Sequence, residues 1–267
     1  MANETTPEFE AHIIAAKLGS FSIPTPLDSI CDFLNITVVR TTKQDKPGIF
    51  VRKLNGQKFI LIKDDIPYES LKRFALGHEI GHACLHGNEK DMFECTFEDM
   101  HHYAPNRDAE SDANCFSAEL LMPTKIFEPA VQKSSLSLET IMRLSKTFAT
   151  SLTSTAIKYM QHTFDQGAVI FSRDGQYNFS SLSRSFRRPM RRGAIHPHTF
   201  AYDFFSEGKL LNGESKKVLA SAWLLDAAPY ECLVEETISM RFINATLSVI
   251  YPFIESEQEY RDEFDYE

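Results

Sequence analysis

A run of histidines with one glutamate stands at residues 74–86, where the sequence is FALGHEIGHACLH. Its centre has the spacing H-E-x-x-H. Residues four apart lie on one face of a helix, one turn apart, so His78 and His82 can present ring nitrogens to a single metal ion. Glu79 points to the flank of that face, where it can reach a metal-bound water without ligating the metal. The spacing therefore predicts a hydrolytic metal site with Glu79 as general base.

A catalytic zinc site takes three protein ligands and keeps one position open, so a third ligand is needed. A histidine ten residues after the first is ruled out, because that position is Asn88. His86 drifts off the ligand face of a straight helix and is expected to support the site from outside. The preferred third ligand is Glu110, in the helical segment RDAESDANCFSAELLM, because the small Ala113 beside it permits close approach. Asp112 lies about 200° round that helix from Glu110, so both acids cannot face the metal.

These two motifs, in this order, resemble those of the ImmA/IrrE family of metallopeptidases. Its members have H-E-hydrophobic-G-H-x-x-L-H and then E-x-E-A-N-x-F-A-x-x-L-L-M-P. The sequence departs at Asp112, where Glu is common, and at Ser117, where Ala is common, and neither belongs to the ligand set. The resemblance covers residues 20–130 most closely, weakens over 131–165 and is slight beyond. The matching positions are His78, Glu79, Gly81, His82, Leu85, His86, Glu110, Ala113, Asn114, Phe116, Leu120, Leu121, Met122 and Pro123.

The resemblance implies that His78, His82 and Glu110 are the metal ligands and that Glu79 is the general base. Two imidazoles and one carboxylate favour Zn²⁺, although Mn²⁺ or iron is also compatible with this set. A bound divalent ion lowers the pKa of its water from 15.7 to about 7, which makes a nucleophile available at neutral pH.

A hydrogen-bond donor near the scissile carbonyl would complete such a site by stabilising the oxyanion. The nearest candidates in sequence are in the loop before Glu110, where HHY places His101, His102 and Tyr103. The alternative is that HHY is an ordinary polar loop.

Members of the family typically cleave a helix-turn-helix repressor and thereby derepress genes of phage or stress-response type. The resemblance therefore implies a metallo-endopeptidase that acts in transcription regulation. Only one helix is predicted ahead of the metallopeptidase portion, so we expect a separate helix-turn-helix repressor as substrate.

Two other functions are alternatives to the peptidase. A regulatory protein could bind and sequester its partner through a structural metal site, but such a site needs no general base and is usually closed by four protein ligands. A DNA-binding regulator is disfavoured, because LTSTAIKYMQ, the second helix of the helix-turn-helix-like pair at 136–160, offers one Lys. Five arginines within residues 184–192 could grip an anionic partner, although a solvated loop neutralised by the acidic tail is the preferred interpretation.

The composition indicates a soluble, cytoplasmic protein. Five cysteines without C-x-x-C spacing favour reduced thiols, and neither a secretory signal nor an apolar run long enough to span a bilayer is present. The formal net charge of −9 is concentrated at the end of the chain, where ESEQEYRDEFDYE holds seven acids against one Arg. The rest is close to neutral, which does not favour nucleic-acid binding. The sequence leaves the oligomeric state open.

These motifs require positioning elements, and the chain predicts an α+β fold. Residues 1–130 are expected to form a zincin-like metallopeptidase domain, with an active-site helix and a small antiparallel sheet. A helix-turn-helix-like segment follows at 131–165, then a small α/β sensor-like domain at 166–254 and a disordered acidic tail at 255–267.

Local patterns set the expected elements. A helix over residues 8–18 is followed by one in LDSICDFLN, with Leu27, Ile30, Phe33 and Leu34 on one face. ITVVR is a strand, and GIFVRKLNGQKFILI is a hairpin across Asn55-Gly56. The metal helix should extend from Pro67 to Gly87, before an irregular stretch at 88–106. The later expected elements are the helix that ends at Pro123, two short helices with a break near Thr150-Ser151, and a hairpin across Asp174-Gly175.

Overall fold

The fold is described by a computed structural model that covers residues 6–17, 22–87, 90–99 and 108–254. Within these ranges the chain forms eight α-helices and two β-sheets, so the expected α+β class is confirmed. Contacts divide the chain into two compact units, one of Met1–Pro129 with Leu144–Ser154 and one of Ala130–Arg143 with Thr155–Glu267. The domain limits expected from the sequence stay predictions. The acidic tail lies outside the described residues.

The elements follow one another largely as the sequence patterns indicate. Up to residue 162 they are α1 (Pro7–Lys17), α2 (Leu27–Phe33), β1 (Ile36–Thr41), β2 (Gly48–Arg52), β3 (Lys58–Lys63), α3 (Glu69–Gly81), a π-helical turn (His82–His86), β4 (Met92–Cys95), α4 (Ala109–Leu121), α5 (Thr124–Gln132), α6 (Leu138–Phe148) and α7 (Leu152–His162). They continue with β5 (Ala168–Arg173), β6 (Gln176–Leu182), α8 (Phe200–Glu207), β7 (Asn212–Leu219), β8 (Cys232–Met240) and β9 (Ala245–Pro252). No described helix has the length and apolar character needed to cross a membrane.

The sheet of the first unit has the order β1-β3-β2-β4. β2 and β3 form the hairpin that Asn55-Gly56 predicts, with Gly56 at φ 82° in the left-handed region. β1 pairs with β3 in parallel, so the expectation of an antiparallel sheet is wrong for this pair. The chain reverses its direction between β1 and β2 and again between β2 and β3, so β1 and β3 run the same way. Because β4 occupies the other edge of β2, the outer edge of β3 is left for β1. The sheet is consequently mixed.

β4 lies inside the stretch expected to be irregular, and that prediction is wrong for Met92–Cys95. The strand buries Phe93 and Cys95 and leaves the residue before each of them exposed. Four residues are too few for a recognisable alternation, and the strand forms because it pairs with β2. Cys95 stands opposite Gly48 in that pairing.

The buried face of α2 differs from the expected one. Leu27, Ile30 and Cys31 are buried, whereas Phe33 is 46% exposed. Leu27 and Cys31 are four residues apart and share a face, but Phe33 is six residues from Leu27 and points elsewhere. The expected place of Phe33 on this face is therefore wrong.

Helices α3 and α4 approach each other through small residues. A Cβ atom added to Gly81 would lie 3.1 Å from the Cα of Ala113, and one added to Gly77 would lie 2.5 Å from the Ser117 hydroxyl. Side chains at these two glycines would push the helices apart. The close approach continues into a core that includes Phe50, Ile60, Ile80, Phe116 and Leu120.

The second unit is built on an antiparallel sheet with the order β6-β5-β9-β8-β7. The expected α/β arrangement is wrong for this region, because every pair of neighbouring strands in its sheet is antiparallel. The predicted hairpin across Asp174-Gly175 joins β5 and β6, and Gly175 has φ 72°. Trp223, Phe200 and Ile250 belong to its buried core.

A buried carboxylate on β8 holds the beginning of α8. Glu235 is completely buried and accepts hydrogen bonds from the backbone N–H groups of Phe200 and Ala201, both at 2.8 Å. Trp223 Nε1 donates at 2.8 Å and the Thr237 hydroxyl at 2.9 Å. The Ser248 hydroxyl also donates, at 3.3 Å, so this carboxylate binds the helix start, the indole and the sheet together.

We expect Glu235→Gln to lower the free energy of unfolding by about 2 to 3 kcal/mol, because an amide nitrogen cannot accept the hydrogen bonds that the second carboxylate oxygen accepts. Urea unfolding followed by tryptophan fluorescence measures the loss. The matched control is Glu207→Gln in the exposed last turn of α8, for which a change within about 0.5 kcal/mol is expected. Equal stability of the two variants would show that the carboxylate does not hold α8.

Candidate metal centre

Three of the predicted site residues meet in the first unit. The Nε2 atoms of His78 and His82 are 3.0 Å apart, and the Glu110 Oε2 atom lies 3.1 Å from His78 Nε2 and 3.4 Å from His82 Nε2. Both histidines come from α3 and its π-helical continuation, and Glu110 comes from the first turn of α4. The structure thus brings these three side chains together.

A fourth side chain in the cluster was missed by sequence reasoning. The Cys95 Sγ atom lies 3.1 Å from His78 Nε2, and one atom from each of His78, His82, Cys95 and Glu110 lies within 4.8 Å of the others. Cys95 reaches the cluster through the pairing of β4 with β2. The only signal in the sequence was a cysteine thirteen residues after His82, and cysteine is a common zinc ligand.

The chemistry of this donor set fits a divalent cation. Burial lowers the pKa of His82 to about 4, so this imidazole is neutral at pH 7. Burial acts to raise the pKa of Glu110, but the contacts of its carboxylate with the imidazoles of His78 and His82 outweigh it and hold that pKa below its usual range. A neutral imidazole and an ionised carboxylate direct lone pairs into the same small volume, an arrangement that a cation stabilises.

The orientation of the His78 ring is fixed by α4 and by the chain after β4. His78 Nδ1 lies 2.9 Å from Asn114 Oδ1, and Asn114 Nδ2 donates to the Asp99 carbonyl at 2.7 Å. Because the Asn114 nitrogen is engaged with Asp99, its oxygen faces the ring and accepts from Nδ1–H. That tautomer leaves the Nε2 lone pair directed at the centre of the cluster, as in metal-ligating histidines generally.

His82 is held by an aromatic ring and by a third histidine. Its ring stacks on Phe93 of β4, with the centroids 4.3 Å apart and the planes at 15°. His86 Nδ1 lies 3.2 Å from His82 Nδ1. Both histidines belong to the π-helical turn His82–His86, and their ring centroids lie 5.4 Å apart with the planes at 53°. His86 is therefore in contact with a candidate ligand and is outside the four-atom cluster.

Glu79 is fully buried beside the cluster. Neither of its carboxylate oxygens accepts a hydrogen bond of normal geometry from the described residues. Burial raises its pKa to about 7, although His78 acts in the opposite direction. A Cβ atom at Gly48 would lie 2.7 Å from Glu79 Cγ and 2.9 Å from its Cδ, so the glycine at the start of β2 makes the room that this carboxylate occupies. Sequence reasoning missed Gly48, since its partner is remote in the chain.

The remaining candidates from the sequence are the HHY loop and Asp112. His101, His102 and Tyr103 lie outside the described residues. Asp112 is on α4 and does not belong to the four-atom cluster.

The fold and the cluster define a candidate metal centre, and a comparison with known families gives its class. Residues 31–159 match the family model described as Peptidase_M78, IrrE N-terminal-like domain. This match confirms the resemblance to the ImmA/IrrE family that the two motifs indicate.

The other comparisons give information on the fold only. No curated protein matches the sequence. A solved structure of a Mycobacterium tuberculosis transcriptional regulator superposes with a TM-score of 0.58 and 11% sequence identity, over 92% of this chain and 76% of that chain. At this identity the likeness concerns the path of the backbone.

We expect Gly48→Ala to lower the free energy of unfolding by about 1 to 3 kcal/mol, because the new methyl group overlaps the side chain of Glu79. Urea unfolding of the first unit measures the change. In a Glu79→Ala background the same substitution should cost less, since the overlapping atoms are gone. An equal cost in both backgrounds would mean that Gly48 is required for a reason other than the space for Glu79.

We expect Asn114→Ala to weaken metal binding about 10- to 100-fold while the chain stays folded, because His78 loses the group that fixes its ring and tautomer. Competition of the protein with a chromogenic chelator for Zn²⁺ measures the affinity. Asn55→Ala in the β2–β3 turn is the control and should bind the ion as the parent protein does. Unchanged affinity in Asn114→Ala would remove the orienting role of Asn114.

Proposed function

We propose that this protein is a metal-dependent, site-specific endopeptidase that cleaves a helix-turn-helix transcriptional repressor. The observation that carries this proposal is the convergence of His78, His82 and Glu110 with the buried carboxylate of Glu79 beside them. The IrrE N-terminal-like domain over residues 31–159 supports it, because that domain belongs to a peptidase family.

His78, His82 and Glu110 would hold the ion. When bound, Zn²⁺, with Mn²⁺ as an alternative, supplies Lewis-acid polarisation of the scissile carbonyl and of the attacking water. Asn114 keeps the His78 ring in the ligating tautomer.

Glu79 moves the proton in this mechanism. One carboxylate oxygen takes a proton from the attacking water, and the same group passes it to the leaving amine. A pKa of about 7 suits both transfers, because at neutral pH the protonated and ionised forms of the carboxyl group are similar in free energy. The absence of a normal hydrogen bond from the described residues to its oxygens leaves them available for this role. His102 and Tyr103 stay candidates for stabilising the oxyanion.

The substrate class follows from the family resemblance. Members of the family cleave helix-turn-helix repressors, so the proposed partner is a separate repressor of this type, and cleavage would release transcription in a stress response. Direct DNA binding is not part of this proposal.

A second function is favoured by one observation, the presence of Cys95 in the cluster. Four protein ligands are typical of structural zinc sites. A protein with such a site could bind its repressor and sequester it uncut. Glu79 favours the peptidase, because a structural site has no use for a buried carboxylate, and burying one without partners costs stability.

Glu79→Gln separates the two functions. We expect it to bind metal and repressor as the parent does and to cleave at least about 100-fold more slowly, because the amide cannot act as a base. The assay incubates the protein with the helix-turn-helix protein encoded nearest to it, with Zn²⁺, Mn²⁺ or chelator, and measures intact masses. Two fragments that sum to the substrate plus one water, absent with chelator, would locate the cleaved bond.

Glu94→Gln, at an exposed position of β4, is the matched control and should cleave at the parental rate. A stable, uncut complex with metal in place would support sequestration. Cleavage that survives in Glu79→Gln would contradict the assigned base.

A further inference from the structure

We propose that Cys95 is a fourth protein ligand of the metal centre, and that its thiolate closes the position a catalytic water needs. The closed form would be latent, and cleavage would require water to replace the thiolate. The regulatory part of this inference rests on the proposed peptidase function, whereas the ligand assignment stands without it.

The position of Cys95 carries the assignment. Its Sγ atom is completely buried, lies 3.1 Å from His78 Nε2 and belongs to the same cluster as His82 and Glu110. Two imidazole nitrogens, a thiolate and a carboxylate all occur among zinc ligands, and four of them complete a tetrahedral site. Four protein ligands would therefore leave no coordination position for a water.

The thiol is held in place by the sheet. Cys95 is the last residue of β4, where it stands opposite Gly48 in β2. The turn that follows is fixed by Thr96 and Asp99, because Asp99 Oδ2 accepts from the Thr96 backbone N–H and hydroxyl, both at 2.7 Å. β2 begins and β4 ends beside the cluster, so the backbone directs the thiol of Cys95 toward it.

A second observation, on Glu79, indicates that a hydrogen-bond partner such as a water belongs at this site. Glu79 is completely buried, and neither carboxylate oxygen has a normal hydrogen bond from the described residues. Its carboxylate lies against Gly48, the residue that pairs with Cys95. A water at the fourth position would give this carboxylate the partner that it lacks, and a bound thiolate excludes that water.

The exchange balances as a ligand substitution. With an ion bound, Cys95 Sγ would leave it, one water would take the vacated position, and the released thiolate would take up one proton from solvent to become a thiol. No electron is transferred. Closing reverses each step and returns the proton to solvent.

Cobalt substitution tests the ligand assignment without any assay of activity. Protein loaded with one equivalent of Co²⁺ should show the near-ultraviolet charge-transfer absorption of a sulfur-to-cobalt bond. Cys95→Ser should lose that absorption and bind metal at least about tenfold more weakly. Cys84→Ser is the control, because Cys84 is close to His82 in sequence but outside the cluster, and it should keep the absorption.

X-ray absorption of the Zn²⁺-loaded parent protein provides a reading that needs no variant to fold. One sulfur neighbour at about 2.3 Å is expected. A shell of nitrogen and oxygen alone, or charge-transfer absorption that persists in Cys95→Ser, would overturn the assignment.

The latent state is tested by turnover at saturating metal. Cys95→Ser should cleave the repressor faster than the parent, by the factor by which the closed form outnumbers the open one. A slower or equal rate would overturn the latent state. If neither protein cleaves while the sulfur signal is present, the peptidase proposal and the latency fail together and Cys95 remains a ligand of a structural site.

Discussion

Helices α3 and α4 can place a histidine pair and a glutamate around one point only because their backbones approach closely. Gly81 faces Ala113 and Gly77 faces Ser117, so no side chain keeps the two helices apart. The interior is close-packed, and a helix moved outward by one methyl group would carry Glu110 away from His78. Gly81 and Ala113 of the two motifs, together with Gly77, therefore serve the geometry of the cluster as directly as the polar residues do.

The sheet of the first unit completes the surroundings of the cluster. β2 contributes the space at Gly48 for the carboxylate of Glu79, and β4 contributes Cys95 together with the ring of Phe93. Burial then sets the chemistry. It keeps His82 neutral and raises the pKa of Glu79 to about 7, so one ring can offer a lone pair and one carboxylate can exchange a proton near neutral pH.

The parts of the site that the sequence predicts are those encoded within a single helix or by a recognisable pair of motifs. The spacing of His78 and His82 follows from helical periodicity, and the placement of Glu110 follows from the small residue beside it. Cys95 and Gly48 could not be found this way, because they meet through strand pairing between remote segments. The parallel β1–β3 pair was missed for the same reason, since it depends on which edge β4 occupies.

The π-helical turn divides the metal helix into an α-helical part and a wider part, and each part positions different histidines. The α-helical part sets the spacing of His78 and His82, and the wider turn at His82–His86 aligns His86 with His82. A π turn accommodates one more residue than an α turn. Loss of one residue after His82 would thus spare the histidine pair yet rotate His86 away and change the direction in which the chain leaves the helix. The extra residue in this turn therefore lets one continuous helix set both the direction of the His78–His82 pair and the direction of His86.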